Sequence, residues 1–222
     1  RSSPRVISMF DDFVFLEFSA PDCQPFDDFF IKVGFKKVDL EKDIARYSQG
    51  NANFIVNNTA DSFAKQYALK HNCFVISGYG IKTENAADAI EHLGLPQRKD
   101  GLFKIPAVDG PAGTLIYLVD SNHHKIAESN IPSDTGVLRV DHFTTNFPKG
   151  QLKQWSDTYQ NTFGFKKVHD FKICFNKTYY NFMALVNHNN KIRLPLNEAL
   201  DDLSSVAEFL RIHVGIGMQH IA

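Results

Sequence analysis

Gly34-Phe35-Lys36-Lys37-Val38 returns 130 residues later as Gly164-Phe165-Lys166-Lys167-Val168. Self-similarity at a fixed spacing marks a duplicated structural unit, so this phrase decides how the chain is organised. The same shift lays Asp11-Asp12-Phe13 over Asp141-His142-Phe143. One copy carries a carboxylate where the other carries an imidazole. The duplication is therefore repeated in fold and unequal in chemistry.

Working outward from the phrase, each copy reads in the same order. A strand comes first, over 13–18 and again over 140–145. An amphipathic helix follows; in the second copy Leu152, Trp155 and Tyr159 fall on one helical face. Glycine then ends the helix in a left-handed turn, and the aromatic after it anchors the next strand. Three strand-like stretches follow, expected over 35–39, 44–47 and 53–56, and over 165–171, 173–175 and 180–186. The first half continues with a helix over 62–70, a strand over 73–81, a helix opened by Thr83-Glu84-Asn85 with Ala86, Ala89, Ile90 and Leu93 as its apolar stripe, and strands over 103–106 and 114–119. A polar linker spans 121–136. By this pattern the second half stops at Gly215-Ile216-Gly217-Met218-Gln219-His220-Ile221-Ala222, before its second unit is complete.

The bulk numbers narrow the field. With 222 residues the chain suits one large or two small domains. A hydrophobic fraction of 43% and a charged fraction of 22% are ordinary for a globular protein. The net charge of −1 gives no electrostatic case for nucleic acid or an anionic membrane surface. No apolar run approaches the roughly 20 residues that cross a bilayer. Arg1-Ser2-Ser3-Pro4 lacks the apolar core of a signal peptide, and Cys23, Cys73 and Cys174 are an odd number without metal spacing. Both point to a reducing cytoplasm. The 20 phenylalanines are read as core.

Two histidines stand in strand-like contexts, each at the start of a repeat unit: His142 and His220. Equivalent positions on related strands would let them converge across a cup. Neutral imidazole is the commonest metal-binding side chain, and two imidazoles with one carboxylate leave open positions on Fe(II). A strand histidine is more often a hydrogen-bonded structural residue, so spacing alone leaves both readings open. His123-His124 reads as a solvated pair, and Glu198 as a pocket-wall residue rather than a ligand. Gly78-Tyr79-Gly80 and Gly215-Ile216-Gly217 lack the third glycine of a dinucleotide fingerprint.

Several segments resemble the 4-hydroxyphenylpyruvate dioxygenase family of the vicinal-oxygen-chelate superfamily. They are Phe15-Leu16-Glu17-Phe18, the run 113–120, Asp141-His142, Ile192-Arg193-Leu194-Pro195-Leu196-Asn197-Glu198, and Glu208-Phe209-Leu210 followed by the run 215–222. Their order and spacing hold along nearly the whole chain. The resemblance implies an α+β fold of tandem βαβββ modules forming two open barrels, the second incomplete here. Residues 1–130 are then a structural, metal-free barrel, and residues 131–222 the first part of an iron-binding barrel. His142 and His220 match the family's iron histidines. Asn197 and Gln219 match positions lining the substrate pocket. The third ligand, a glutamate, is expected beyond the C-terminus. The implied reaction takes 4-hydroxyphenylpyruvate, an aromatic 2-oxo acid, and O2 to homogentisate and CO2 in tyrosine catabolism, with Fe(II) as cofactor. As given, the chain is expected to be inactive and to associate into homo-oligomers through unpaired strand edges. The alternatives are 4-hydroxymandelate synthase and a non-catalytic small-molecule-binding member of the superfamily. An ungapped reading back from Asn197 puts Phe182 where many members carry a small polar residue. A loop shift around 187–190 is the favoured explanation.

Overall fold

In the computed structural model, residues 9–123, 126, 131, 132 and 134–222 are described. They divide into two compact units, Phe13–Val140 and Asp141–Ala222 together with residues 9–12. Residues 131–140 belong to the first unit rather than the second, because they hydrogen-bond back to β-structure there. The Gln49 side chain takes the Thr135 amide at 3.3 Å and the Thr135 hydroxyl at 2.6 Å, and the Asn51 amide donates to Leu138 O at 2.6 Å.

The first unit is built from β1 (Phe13–Ser19), α1 (Gln24–Lys32), β2 (Lys36–Glu41), β3 (Ile44–Gln49), β4 (Ala52–Asn57), α2 (Phe63–His71), β5 (Val75–Lys82), α3 (Ala86–Leu93), β6 (Ala107–Asp109) and β7 (Leu115–Val119). Its mixed sheet runs β2-β3-β4-β1-β5-β7-β6, with β1 parallel to β4 and antiparallel to β5. The second unit contains β8 (Phe143–Phe147), α4 (Leu152–Asn161), β9 (Lys166–Phe175), β10 (Thr178–Val186), β11 (Arg193–Ala199), α5 (Ser205–Ile212) and β12 (Gly217–Ile221). Its sheet runs β9-β10-β11-β8-β12, again with a parallel β11–β8 pair beside an antiparallel β8–β12 pair. The repeated phrase thus marks a repeated topology, and both sheets are open.

Alternation along each strand separates two faces. In the first unit Phe18 and Phe54 face α1, where they join the rings of Phe26, Phe30 and Phe35. The opposite face carries Phe15, Ile55, Leu115, Tyr117 and Val119, a buried apolar cluster. Half of the 20 phenylalanines, ten in all, are buried and serve as core. In the second unit Met183 faces α4 and accepts the Ser156 hydroxyl at 2.9 Å. The other face carries Asn197 and, directly across from it, Phe182 and Asn146.

Local chemistry explains the helix limits. Ser62 and Ser204 open the equivalent helices α2 and α5 by accepting the Lys65 and Ala207 amides. Asn85 opens α3 by accepting the Ala87 and Asp88 amides, as its cap position requires. Gly164 adopts φ +72°, the left-handed turn expected of it. Two expectations fail locally. The strand expected over 103–106 lies instead at Ala107–Asp109, because Phe103 and Lys104 turn into positive φ. The two strands expected over 165–175 are one strand, β9, paired with β10 along its length except for a register step at Val168.

Replacing Ser62 or Ser204 by alanine removes one helix cap from one repeat. Each change is expected to cost about 1 kcal/mol, read as a lower urea midpoint at unchanged slope.

Candidate metal centre

Strand register brings His142 and His220 together. In the β8–β12 pair, Ile221 lies opposite Phe143 and His220 opposite Thr144. The ladder continues to His142 and Ala222, which exchange backbone hydrogen bonds at 2.9 and 3.3 Å. His142 and Thr144 are two residues apart and share a face. His220, opposite Thr144, is the diagonal neighbour of His142 on that face. Their ring centroids are 5.9 Å apart and their planes meet at 81°.

A β-bulge fixes this placement. Met218 faces Thr145 and His220 faces Thr144, so Gln219 is the extra residue between them. Such insertions re-aim side chains. Without it, His220 would stand opposite Phe143 and turn to the other face. Gln219 itself is half-buried in the bulge.

The environment of each ring sets its proton. His142 Nδ1 stands 3.0 Å from Asp141 Oδ2, and Asp141 Oδ1 accepts from Arg193 Nη1 at 3.1 Å. An ionised aspartate only accepts, so Nδ1 carries a proton in this contact and Nε2 is the nitrogen left to face a metal. His220 Nε2 lies 3.0 Å from the Thr144 hydroxyl. Partial burial, with the facing His142 as a second cause, pushes the His220 imidazole below its ordinary range. That favours the neutral form a metal needs. Two imidazoles binding one ion at about 2.1 Å in a facial set would have centroids about 4.6 Å apart, so the rings, 5.9 Å apart here, must close by more than about 1 Å to share a metal. The His220 side chain must exchange its Thr144 contact to bind through Nε2.

Asn197 is buried beside Asn146, to whose Oδ1 its Nδ2 donates at 3.1 Å. This leaves Asn146 Nδ2 and Asn197 Oδ1, both shielded from solvent, without a hydrogen-bond partner. An unmet buried donor or acceptor costs about 1–3 kcal/mol, so the pair is poised to accept a polar ligand. The sequence reading missed Asn146 and Thr144. Strict alternation from His142 through Thr144 to Asn146 was the signal that could have found them.

Other candidates separate cleanly. Glu198 points to the opposite face, where it accepts the Gly150 and Leu152 amides at 2.8 and 3.2 Å and so caps α4. Asp12, the repeat partner of His142, lies 3.9 Å from Lys191 Nζ in an exposed ion pair. His123 is not a freely solvated residue, since its Nδ1 lies 2.9 Å from Asp120 Oδ1; His124 falls outside the described residues. The β10–β11 ladder runs from Val186↔Arg193 to Tyr180↔Ala199 without displacement, so Phe182 stands directly beside Asn197. Its ring centroid is 5.0 Å from that of Phe171. Among the described residues, no group of three His, Cys, Asp or Glu side chains could hold a metal, and no helix is long and apolar enough to cross a membrane.

The family model described as "Hydroxyphenylpyruvate dioxygenase, HPPD, N-terminal" matches residues 7–133. The chain belongs to the hydroxyphenylpyruvate dioxygenase family. It is 36% identical over 228 residues to the 4-hydroxyphenylpyruvate dioxygenase of Legionella pneumophila strain Corby, covering 96% of this chain and 65% of that protein. It is 29% identical over 234 residues to the Pseudomonas aeruginosa enzyme of the same name, with the same two coverages. The chain therefore spans about 65% of the length of these curated relatives. A solved structure of a mutant 4-hydroxymandelate synthase from Streptomyces coelicolor superposes with a TM-score of 0.76 at 16% identity, over 96% of this chain and 70% of that one. That likeness establishes a shared fold.

In the metal-free chain the His220 ring should titrate below the usual histidine midpoint of about 6.5. Substituting His142→Ala removes one of the two causes and should raise the midpoint. Two-dimensional NMR of the imidazole carbons and nitrogens reads both values; no rise in the variant would contradict the facing geometry.

Proposed function

We propose that His142 and His220 are two protein ligands of an Fe(II) centre in an aromatic 2-oxo acid dioxygenase acting on 4-hydroxyphenylpyruvate and forming homogentisate. The observation that carries this reading is the diagonal pair of imidazoles on one sheet face, in a chain of this family. Fe(II) bound there supplies the redox chemistry by which O2 oxidises and decarboxylates the substrate. The chain's own side chains prepare that chemistry. Arg193 holds Asp141, and Asp141 holds the proton on His142 Nδ1. The lowered basicity of His220 favours its neutral ring. Asn197, Gln219 and Asn146 offer uncharged polar contacts that orient a substrate without adding a formal charge. Phe182 and Phe171 give the same face an apolar wall suited to an aromatic ring.

A facial set of two imidazoles and one carboxylate completes the iron site in this reading. Among the described residues no carboxylate joins the two imidazoles to complete that set. The first unit serves as a metal-free partner in the fold, and the protein works in the cytoplasm.

Metal analysis after anaerobic Fe(II) loading tests the assignment. The 222-residue chain should retain little iron through gel filtration and form no homogentisate. The weak uptake of Co(II), followed by its visible absorption, should disappear in His142→Ala and in His220→Ala. Tight, stoichiometric iron in the 222-residue chain, or Co(II) spectra indifferent to both substitutions, would refute it.

A further inference from the structure

Thr144 stands between the two imidazoles. It shares a face with His142, two residues away along the chain, and lies directly opposite His220 on β12. Directly opposed strand residues have Cβ atoms about 5 Å apart, close enough for the threonine hydroxyl to reach the ring. Thr144 Oγ1 lies 3.0 Å from His220 Nε2. The threonine is 2% exposed, and among the described residues its hydroxyl has no other hydrogen-bond partner.

This contact occupies the nitrogen that a metal would use. If the hydroxyl donates, it engages the Nε2 lone pair; if the ring donates, Nε2 carries the proton itself. In both cases Nε2 is closed to a cation until the contact breaks. The rings are 5.9 Å apart while it holds, wider than the roughly 4.6 Å of two imidazoles on one ion in a facial set. Branching at Cβ leaves threonine few rotamers, and Thr144 is buried whereas His220 is exposed. The movement that closes the pair therefore falls to His220.

We propose that Thr144 is a positioning residue that holds His220 withdrawn in the metal-free chain, so that a divalent cation enters only by breaking this hydrogen bond. This rests on the reading of His142 and His220 as metal ligands. Affinity at the pair is then set in part by a threonine that is not itself a ligand.

Co(II) titration of the 222-residue chain, followed by visible absorption, tests the latch. Thr144→Val keeps the branched shape without the hydroxyl. It should tighten Co(II) binding about fivefold, the worth of one hydrogen bond no longer broken on loading. Thr144→Ala should act in the same direction, and decides the matter if the valine variant fails to fold. Thr144→Ser retains the hydroxyl and should bind like the parent. Adding His142→Ala to Thr144→Val should abolish the uptake, which shows that the gain runs through the histidine pair. In the metal-free protein at fixed pH, the NMR shift of His220 Nε2 should move in the valine and alanine variants and stay in the serine variant. Binding by both hydroxyl-free variants no tighter than by the parent would overturn the proposal. A serine variant that tightens binding as much as valine does would also overturn it. Parent Co(II) binding indifferent to His142→Ala and His220→Ala would instead sink the metal assignment itself, and the latch with it.

Discussion

Antiparallel pairing of β12 with β8, stepped by one residue at Gln219, is the constraint on which the candidate centre rests. Backbone hydrogen bonds from Asp141 and Ala222 hold the far end of this pair, and His220 opposite Thr144 holds the near end. A strand's side chains alternate, so a single-residue step exchanges faces. The step is what turns His220 toward His142 rather than toward the helix. Everything polar on that face, from Asp141 to Asn146 and Asn197, is placed by the same ladder and its parallel neighbour β11.

The two units use one topology for unlike interiors. Directly opposed residues in the first read Gly78, Glu17 and Ile55; in the second they read Gly217, Asn146 and Asn197. Glycine recurs because a ring or backbone presses close there. A Cβ on Gly78 would meet Leu115 O at 2.7 Å, and one on Gly217 would meet the His213 ring. Beside these glycines the middle position diverges. In the first unit it is a carboxylate tied to Tyr117 within an aliphatic cluster; in the second it is an amide with an unmet donor. At this position the first unit meets its carboxylate with three internal hydrogen bonds, and the second leaves an amide donor unmet.

Much of this was legible in the sequence. The repeated Gly-Phe-Lys-Lys-Val phrase located both copies of the topology, and helix limits followed from Ser62, Asn85 and Gly164. The histidine pair was legible as a candidate because both residues begin equivalent segments. Its geometry was not, since a bulge leaves no signature in residue type. The turn at Phe103 and Lys104 was hidden for a similar reason: aromatic and lysine residues carry no local preference for positive φ, and tertiary packing imposed it. Assignment of residues 131–140 to the first unit was equally hidden, because it depends on long-range hydrogen bonds from Gln49. Phe182 stands beside Asn197 in a β10–β11 ladder that runs from Val186 to Tyr180 without a step. Asn187 is anchored by donating to Phe10 O at 2.8 Å.

Asn197 and Glu198 are adjacent in sequence and face opposite ways, one into the cup and the other onto the first turn of α4. Sliding β11 by a residue to reshape the cup would strip that helix of its cap. Change in this interior is thereby confined to exchanging side chains on a stationary rail, since the strand cannot slide without uncapping the helix.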